Sequence, residues 1–153
     1  MQFSFKTHLF LTLYRVLWLL ALPVALLRLW LKGRKLPAYR SHIGERLGCY
    51  AFPITSRPVW VHAVSVGETR AAEPLVRGLL ALDQKVLLTH MTPTGRATGA
   101  EIFAAEIAAS RVQQVYLAYD SLLTLPRFFK LIRPKMGLIM ETEVWPEMLV
   151  QAK

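Results

Sequence analysis

Cys49 is the only cysteine in the chain. That excludes a disulfide framework and makes a reducing compartment the default. Acids are also scarce, 10 Asp and Glu against 19 Lys and Arg in 153 residues. The four histidines, His8, His42, His62 and His90, have no ligand spacing, so the sequence predicts no metal site. Neither a G-x-G-x-x-G nor a Walker sequence is present, which leaves a dinucleotide or nucleoside triphosphate site unsupported. No Ser–His–Asp arrangement emerges either. At this length the chain holds one domain with a real core and not two.

The net charge of +9 is unevenly spread. Residues 1–50 carry eight basic groups against Glu45 alone, a net of +7. The remaining 103 residues carry 11 basic and 9 acidic groups, a net of +2. The basic character therefore belongs to the N-terminal segment, and nothing in the globular part suggests a nucleic-acid-binding face.

Hydrophobic residues make up 54% of the chain, and the excess sits in the first thirty. Leu9–Leu27 is a nineteen-residue stretch with a single charge, Arg15. A spanning helix needs ~20 apolar residues, so the stretch is of borderline length. Arg15 can snorkel to the nearer surface, and Pro23 would kink such a helix without forbidding it. A cleaved secretory signal is disfavoured, because a small-residue cleavage site is lacking and Arg28, Lys32, Arg34 and Lys35 follow directly. That cluster keeps the body of the protein on the cytoplasmic side and favours anionic headgroups. Residues 1–32 are thus expected to be a membrane-anchoring helix, crossing the bilayer or lying in its surface. A buried helix of a soluble core is the rival reading.

Residues 33–58 are polar, basic and broken by Pro37, Pro53 and Pro58. They read as a connector with at most one short helix, near Tyr39–Leu47. Beyond it, short, largely apolar runs begin at Val59, Val86, Val112 and Met136. Helical stretches are expected over Arg70–Leu82, Thr94–Ala109 and Leu122–Ile132, with another starting near Pro146. Strand–helix alternation at this period predicts an α/β fold with a Rossmann-like parallel sheet over residues 59–153. Such runs suit strands buried on both faces.

In an open parallel sheet, ligands gather beyond the carboxyl ends of the strands, where strand order reverses. With the order 3-2-1-4, the first and fourth strands adjoin. Their following loops, Ser65–Thr69 ("SVGET") and Glu141–Glu147 ("ETEVWPE"), would then share one crevice. Glu68 has two readings there. The dipole of a helix start favours a carboxylate as a plain cap. A second acid nearby resists joint ionisation and can separate the pair into a base and a charge-stabilising group. Glu141 and Glu143 are equally open, as first-turn acids before Pro146 or as members of the site. In His90–Arg96 ("HMTPTGR"), Thr94 as cap and Pro93 as turn former explain the sequence without a ligand. Its hydroxyls and N–H groups could instead hold phosphate or sugar hydroxyls. His62, within the first run, reads as a core or rim residue.

Five stretches, "GRKLPAYRSHIGERLG", "VHAVSVGETRAAEPLVRGL", "LTHMTPTGR", "VQQVYLAYD" and "LIMETEVWPEML", together resemble the 3-deoxy-D-manno-oct-2-ulosonic acid (Kdo) transferases of lipopolysaccharide synthesis. The resemblance covers nearly the whole chain. It implies the N-terminal, acceptor-binding part of a two-domain GT-B glycosyltransferase, with the nucleotide-sugar domain absent and the chain inactive alone. It implies inverting transfer of Kdo from CMP-Kdo to a lipid A precursor, lipid IVA, at the cytoplasmic face of the inner membrane, without metal or cofactor. Glu68 is then the general base and Glu141 the transition-state stabiliser, with acceptor contacts assigned to Ser65, Gly67, Thr92, Thr94, Gly95 and Arg46. The chain departs from the family pattern at Ala118 (usually proline), Glu147 (usually asparagine), and His42 and Ile43 (usually a basic and an aromatic residue). Two alternatives stay open: a non-catalytic remnant binding acidic lipid or a partner, and an unrelated membrane-tethered regulatory module.

Overall fold

The computed structural model describes residues 4–51 and 57–152; Pro53 of the connector lies outside them. Helix α1, Phe5–Lys35, is one unbroken helix of 31 residues that continues through Pro23. It runs three residues past the expected end of the anchor. The connector then makes a 3-10 turn, Pro37–Arg40, and a single helical turn, α2, Ile43–Arg46.

The expected alternation follows. Strand β1, Val59–His62, leads into α3, Val66–Ala81. Strand β2, Val86–His90, precedes α4, Pro93–Ile102, and α5, Ala104–Ala108. Strand β3, Val112–Tyr116, precedes α6, Leu125–Ile132. Strand β4, Met136–Ile139, precedes α7, Pro146–Gln151. The strands form one parallel sheet in the order β3-β2-β1-β4, with Val59 level with both Val86 and Met136.

Successive strand residues face opposite sides, and each side carries its own core. Trp60, Leu87 and Val115 pack under α6 and α7 with Phe128, Ile132 and Met148. Val61, Val86 and Leu88 pack under α3 and α4 with Ala72, Val76 and Phe103. Trp60 also donates from Nε1 to Thr89 Oγ1 (2.7 Å) and lies against Gly137 of β4, where a Cβ would come within 2.7 Å of its ring. Only glycine lets that indole close the sheet.

Further elements differ from expectation. Helix α3 begins at Val66, four residues before the expected Arg70, because the Ser65–Glu68 hydrogen bonds start the helix there. The single helix expected over Thr94–Ala109 breaks at Phe103, which leaves helical geometry (φ −110°, ψ 27°) with its ring fully buried. Helix α6 starts at Leu125 instead of Leu122, because the Ser121 and Thr124 hydroxyls bond to the turn backbone and leave Leu122 and Leu123 exposed. Strand β4 is an edge strand with Met136 48% exposed, and β3, at the opposite edge, carries the half-buried Gln113 and Gln114, so neither is doubly buried.

Candidate functional site

The parallel order places the loops after β1, β2, β3 and β4 along one edge of the sheet. Two of these loops are stitched together. Val64 O accepts from Thr92 N (3.2 Å) and Thr92 Oγ1 (2.9 Å), and Thr92 Oγ1 in turn accepts from Gly95 N (3.1 Å), capping α4. A Cβ on Gly95 would sit 3.0 Å from Val64 O, so glycine permits this close approach. The expected α4 cap, Thr94, is displaced: Thr92 is the cap and Thr94 stands exposed two residues further.

Glu68 occupies the third position of α3 in a capping box. Ser65 Oγ accepts from Glu68 N (3.4 Å) and donates to Glu68 Oε1 (2.8 Å). Glu68 Oε2 accepts from Val64 N (2.7 Å). Glu68 as a whole is 9% exposed. Gly67 is exposed beside it, and a Cβ there would meet only Ser65 Oγ, at 4.0 Å. The helix start is therefore open to a ligand at that point.

Beneath Glu68 lie two buried imidazoles. His90 donates from Nδ1 to Ala63 O (2.9 Å) and accepts at Nε2 from the Gln114 amide nitrogen (2.8 Å). His62 Nδ1 lies 2.8 Å from Thr89 Oγ1. Burial, only partly opposed by the hydrogen bonds to Thr89 and Gln114 and by Glu68, lowers both to about 4, so they are neutral at physiological pH. His62 is thus a satisfied core residue, as one sequence reading held.

Glu141 follows β4 directly. Met140 N donates to His62 O (2.9 Å), extending the ladder, and Glu141 then adopts a left-handed conformation (φ 57°) with its side chain exposed. A non-glycine residue held there is uncommon and gathers at functional loops. The loops bearing Glu68 and Glu141 leave neighbouring parallel strands. A small cavity of about 160 Å³ at this edge is lined by neither; its acidic wall is Asp120 and Glu143, with His62, Trp145 and Trp18 of α1.

Arg46 is placed at the other end of the edge, 1% exposed. Its Nη2 donates to Met91 O (3.0 Å), its guanidinium lies 4.0 Å from the centre of the Tyr116 ring, and Nε has no partner. Its neighbour Glu45 is committed elsewhere, accepting from Arg96 Nη1 (2.6 Å) and from Tyr116 N (2.8 Å). Arg46 borders a groove of about 670 Å³ beneath α1, whose walls include Trp18, Ala21, Arg28 and Lys32. Among the described residues, no three His, Cys, Asp or Glu side chains gather where a metal ion could be held.

Sequence reasoning missed a polar clamp between α1 and the domain. Arg15 pairs with Glu147 through two hydrogen bonds (2.8 and 3.2 Å), and the Glu147 side chain has no exposed surface. Tyr14 donates to Asp120 Oδ2 (2.6 Å), and Asp120 caps α7 by accepting from Glu147 N and Met148 N. Arg15 does not snorkel. Its partner lies 132 residues away, and the one hint is Glu147, standing where the resemblance leads us to expect asparagine. Arg15→Met leaves that carboxylate buried without its cation and is expected to cost about 3 kcal/mol. Adding Glu147→Met should recover most of the loss, and denaturant unfolding of both variants measures it.

A family model described as 3-deoxy-D-manno-octulosonic-acid transferase (kdotransferase) matches residues 41–153. The chain belongs to this family. The 3-deoxy-D-manno-octulosonic acid transferase of Bordetella pertussis is 50% identical over 108 residues, which is 71% of this chain and 25% of that protein. The Haemophilus influenzae transferase of the same name is 36% identical over 140 residues, 90% of this chain and 32% of that one. A probable mitochondrial 3-deoxy-D-manno-octulosonic acid transferase of Arabidopsis thaliana is 31% identical over 145 residues, 92% of this chain and 31% of that protein. No solved structure gives a significant match. As a Kdo transferase family member, the chain spans between a quarter and a third of these relatives' length.

Proposed function

We propose that this chain is the acceptor-binding part of a membrane-associated GT-B Kdo transferase that moves Kdo from CMP-Kdo to a lipid A precursor such as lipid IVA. In this reading residues 1–32 anchor, 33–58 connect, and 59–153 bind the acceptor, with the donor held by a further domain. The reading is supported by family membership together with one observation: the loops carrying Glu68 and Glu141 leave adjacent strands at the same sheet edge.

The chemistry follows from those residues. Glu68 takes the proton from the primary 6′-hydroxyl of the lipid's distal glucosamine as that oxygen attacks the anomeric carbon of Kdo. CMP departs from the opposite face, so configuration inverts, and no metal is used. Positive charge develops on the sugar ring, and Glu141 on its exposed loop opposes it. Ser65 fixes the Glu68 carboxylate, while Gly67, Thr92, Thr94 and Gly95 border the acceptor. The groove beneath α1 supports a lipid acceptor, since an apolar wall faces Arg28, Lys32 and Arg46, which suit acyl chains and phosphates. Work at the cytoplasmic face of the inner membrane fits a basic segment beside an apolar helix.

The test is transfer by the intact parent polypeptide in membranes given CMP-Kdo and lipid IVA. A mass gain of whole Kdo units on the lipid is expected. Release of CMP with no modified lipid would overturn the acceptor assignment.

A further inference from the structure

Helix α1 is long and apolar enough to cross a bilayer, but its contacts divide it lengthwise. At 100° per residue, Leu11, Trp18 and Leu29 share one face, with Tyr14 and Arg15 at its margins. That face meets the domain. Leu11 and Leu29 are buried, the Trp18 and Tyr119 rings lie 5.8 Å apart, and Tyr14 and Arg15 reach Asp120 and Glu147. Towards the other end, Arg40 Nη2 donates to Trp30 O (3.2 Å). The opposite face presents Leu9, Leu13, Val16, Leu20, Val24 and Leu27, all between 49% and 70% exposed. Lys6 precedes this strip, Arg34 and Lys35 follow it, and no charge interrupts it.

We propose that α1 lies in the plane of the membrane surface, with this strip in the acyl layer of an anionic bilayer, and does not cross it. The inference deepens the membrane association of the proposed function and is independent of the transfer chemistry. Crossing would pull Arg15 and Tyr14 off the domain and into hydrocarbon, stranding the wholly buried Glu147 carboxylate. Lying flat keeps every one of those bonds and still removes the apolar strip from water, as interfacial helices do. The basic ends match anionic headgroups. A second copy seated on the same strip would instead bring two segments of net +7 together.

The experiment uses the full polypeptide in a Cys49→Ser background, in phosphatidylcholine–phosphatidylglycerol vesicles. Single cysteines at Leu13, Leu20 and Leu27, seven residues apart on the exposed strip, carry spin labels for depth measurement. A cysteine at Ser4 reports the side of the membrane through an impermeant maleimide. The expected result is one shallow depth for the three labels, with Ser4 reacting only from the side that holds the domain. A depth that peaks at Leu20, with Ser4 reacting from the far side, would overturn the inference while leaving the transferase reading intact. Labels that bury only as the chain dimerises, with or without vesicles, would overturn it in favour of a second copy.

Discussion

On the proposed function, Glu68→Gln should abolish most Kdo transfer while the protein stays folded. The amide keeps one oxygen to accept from Val64 N, and its nitrogen can donate to Ser65 Oγ in place of the present bond. The capping box therefore survives in reversed polarity, and the loss of a cap, typically ~1 kcal/mol, is largely avoided. What cannot survive is proton acceptance. Each carboxylate oxygen has two acceptor sites, and the two bonds seen here leave the others free for an acceptor hydroxyl. A positioned base contributes roughly 10²–10⁴-fold, so the initial rate should fall by that factor with little change in the melting temperature. A rate like that of the unaltered protein would remove Glu68 as the base and leave it a helix cap.

The largest stability effect should come from pH. His62 and His90 ionise at about 4 in the folded protein against an ordinary 6.5, because burial disfavours the cation. The unfolded chain therefore binds these protons first as pH falls. Stability is complete above about pH 6.5 and drains between 6.5 and 4, since folding must hold both rings neutral. The gap is worth roughly 3 kcal/mol per histidine at full effect, an order-of-magnitude figure. Asp120, raised by burial, works in the opposite sense. Thermal unfolding at pH 7 and pH 5 is the check, with a clear drop expected at pH 5. Equal midpoints would mean that both rings take up protons within the fold.

Most of the fold could be read from period and composition. All four strands begin at the expected residues, because doubly wound strands are short apolar runs bounded by polar turns. The order β3-β2-β1-β4 also holds. Helix edges were less legible. Thr124 and Phe103 decide α6, α4 and α5 through hydroxyl bonds and tertiary burial, which periodicity does not encode. At the site, Glu68 was legible as a helix-start acid, but its pairing with Ser65 was not read and the helix was expected to start at Arg70. The Arg15–Glu147 and Glu45–Arg96 pairs were not, because each joins charges far apart in the chain, on elements whose docking no local signal records.

The two rims of the sheet are finished differently. On β3, outward-facing main-chain groups are already occupied: Tyr116 N donates to Glu45 and Gln114 O accepts from Arg96. Among the described residues strand β4, Met136-Gly137-Leu138-Ile139, pairs with β1 alone, and it carries no lysine, proline or other gatekeeper to discourage pairing. The sheet is sealed against growth on one flank and able to accept another strand on the other.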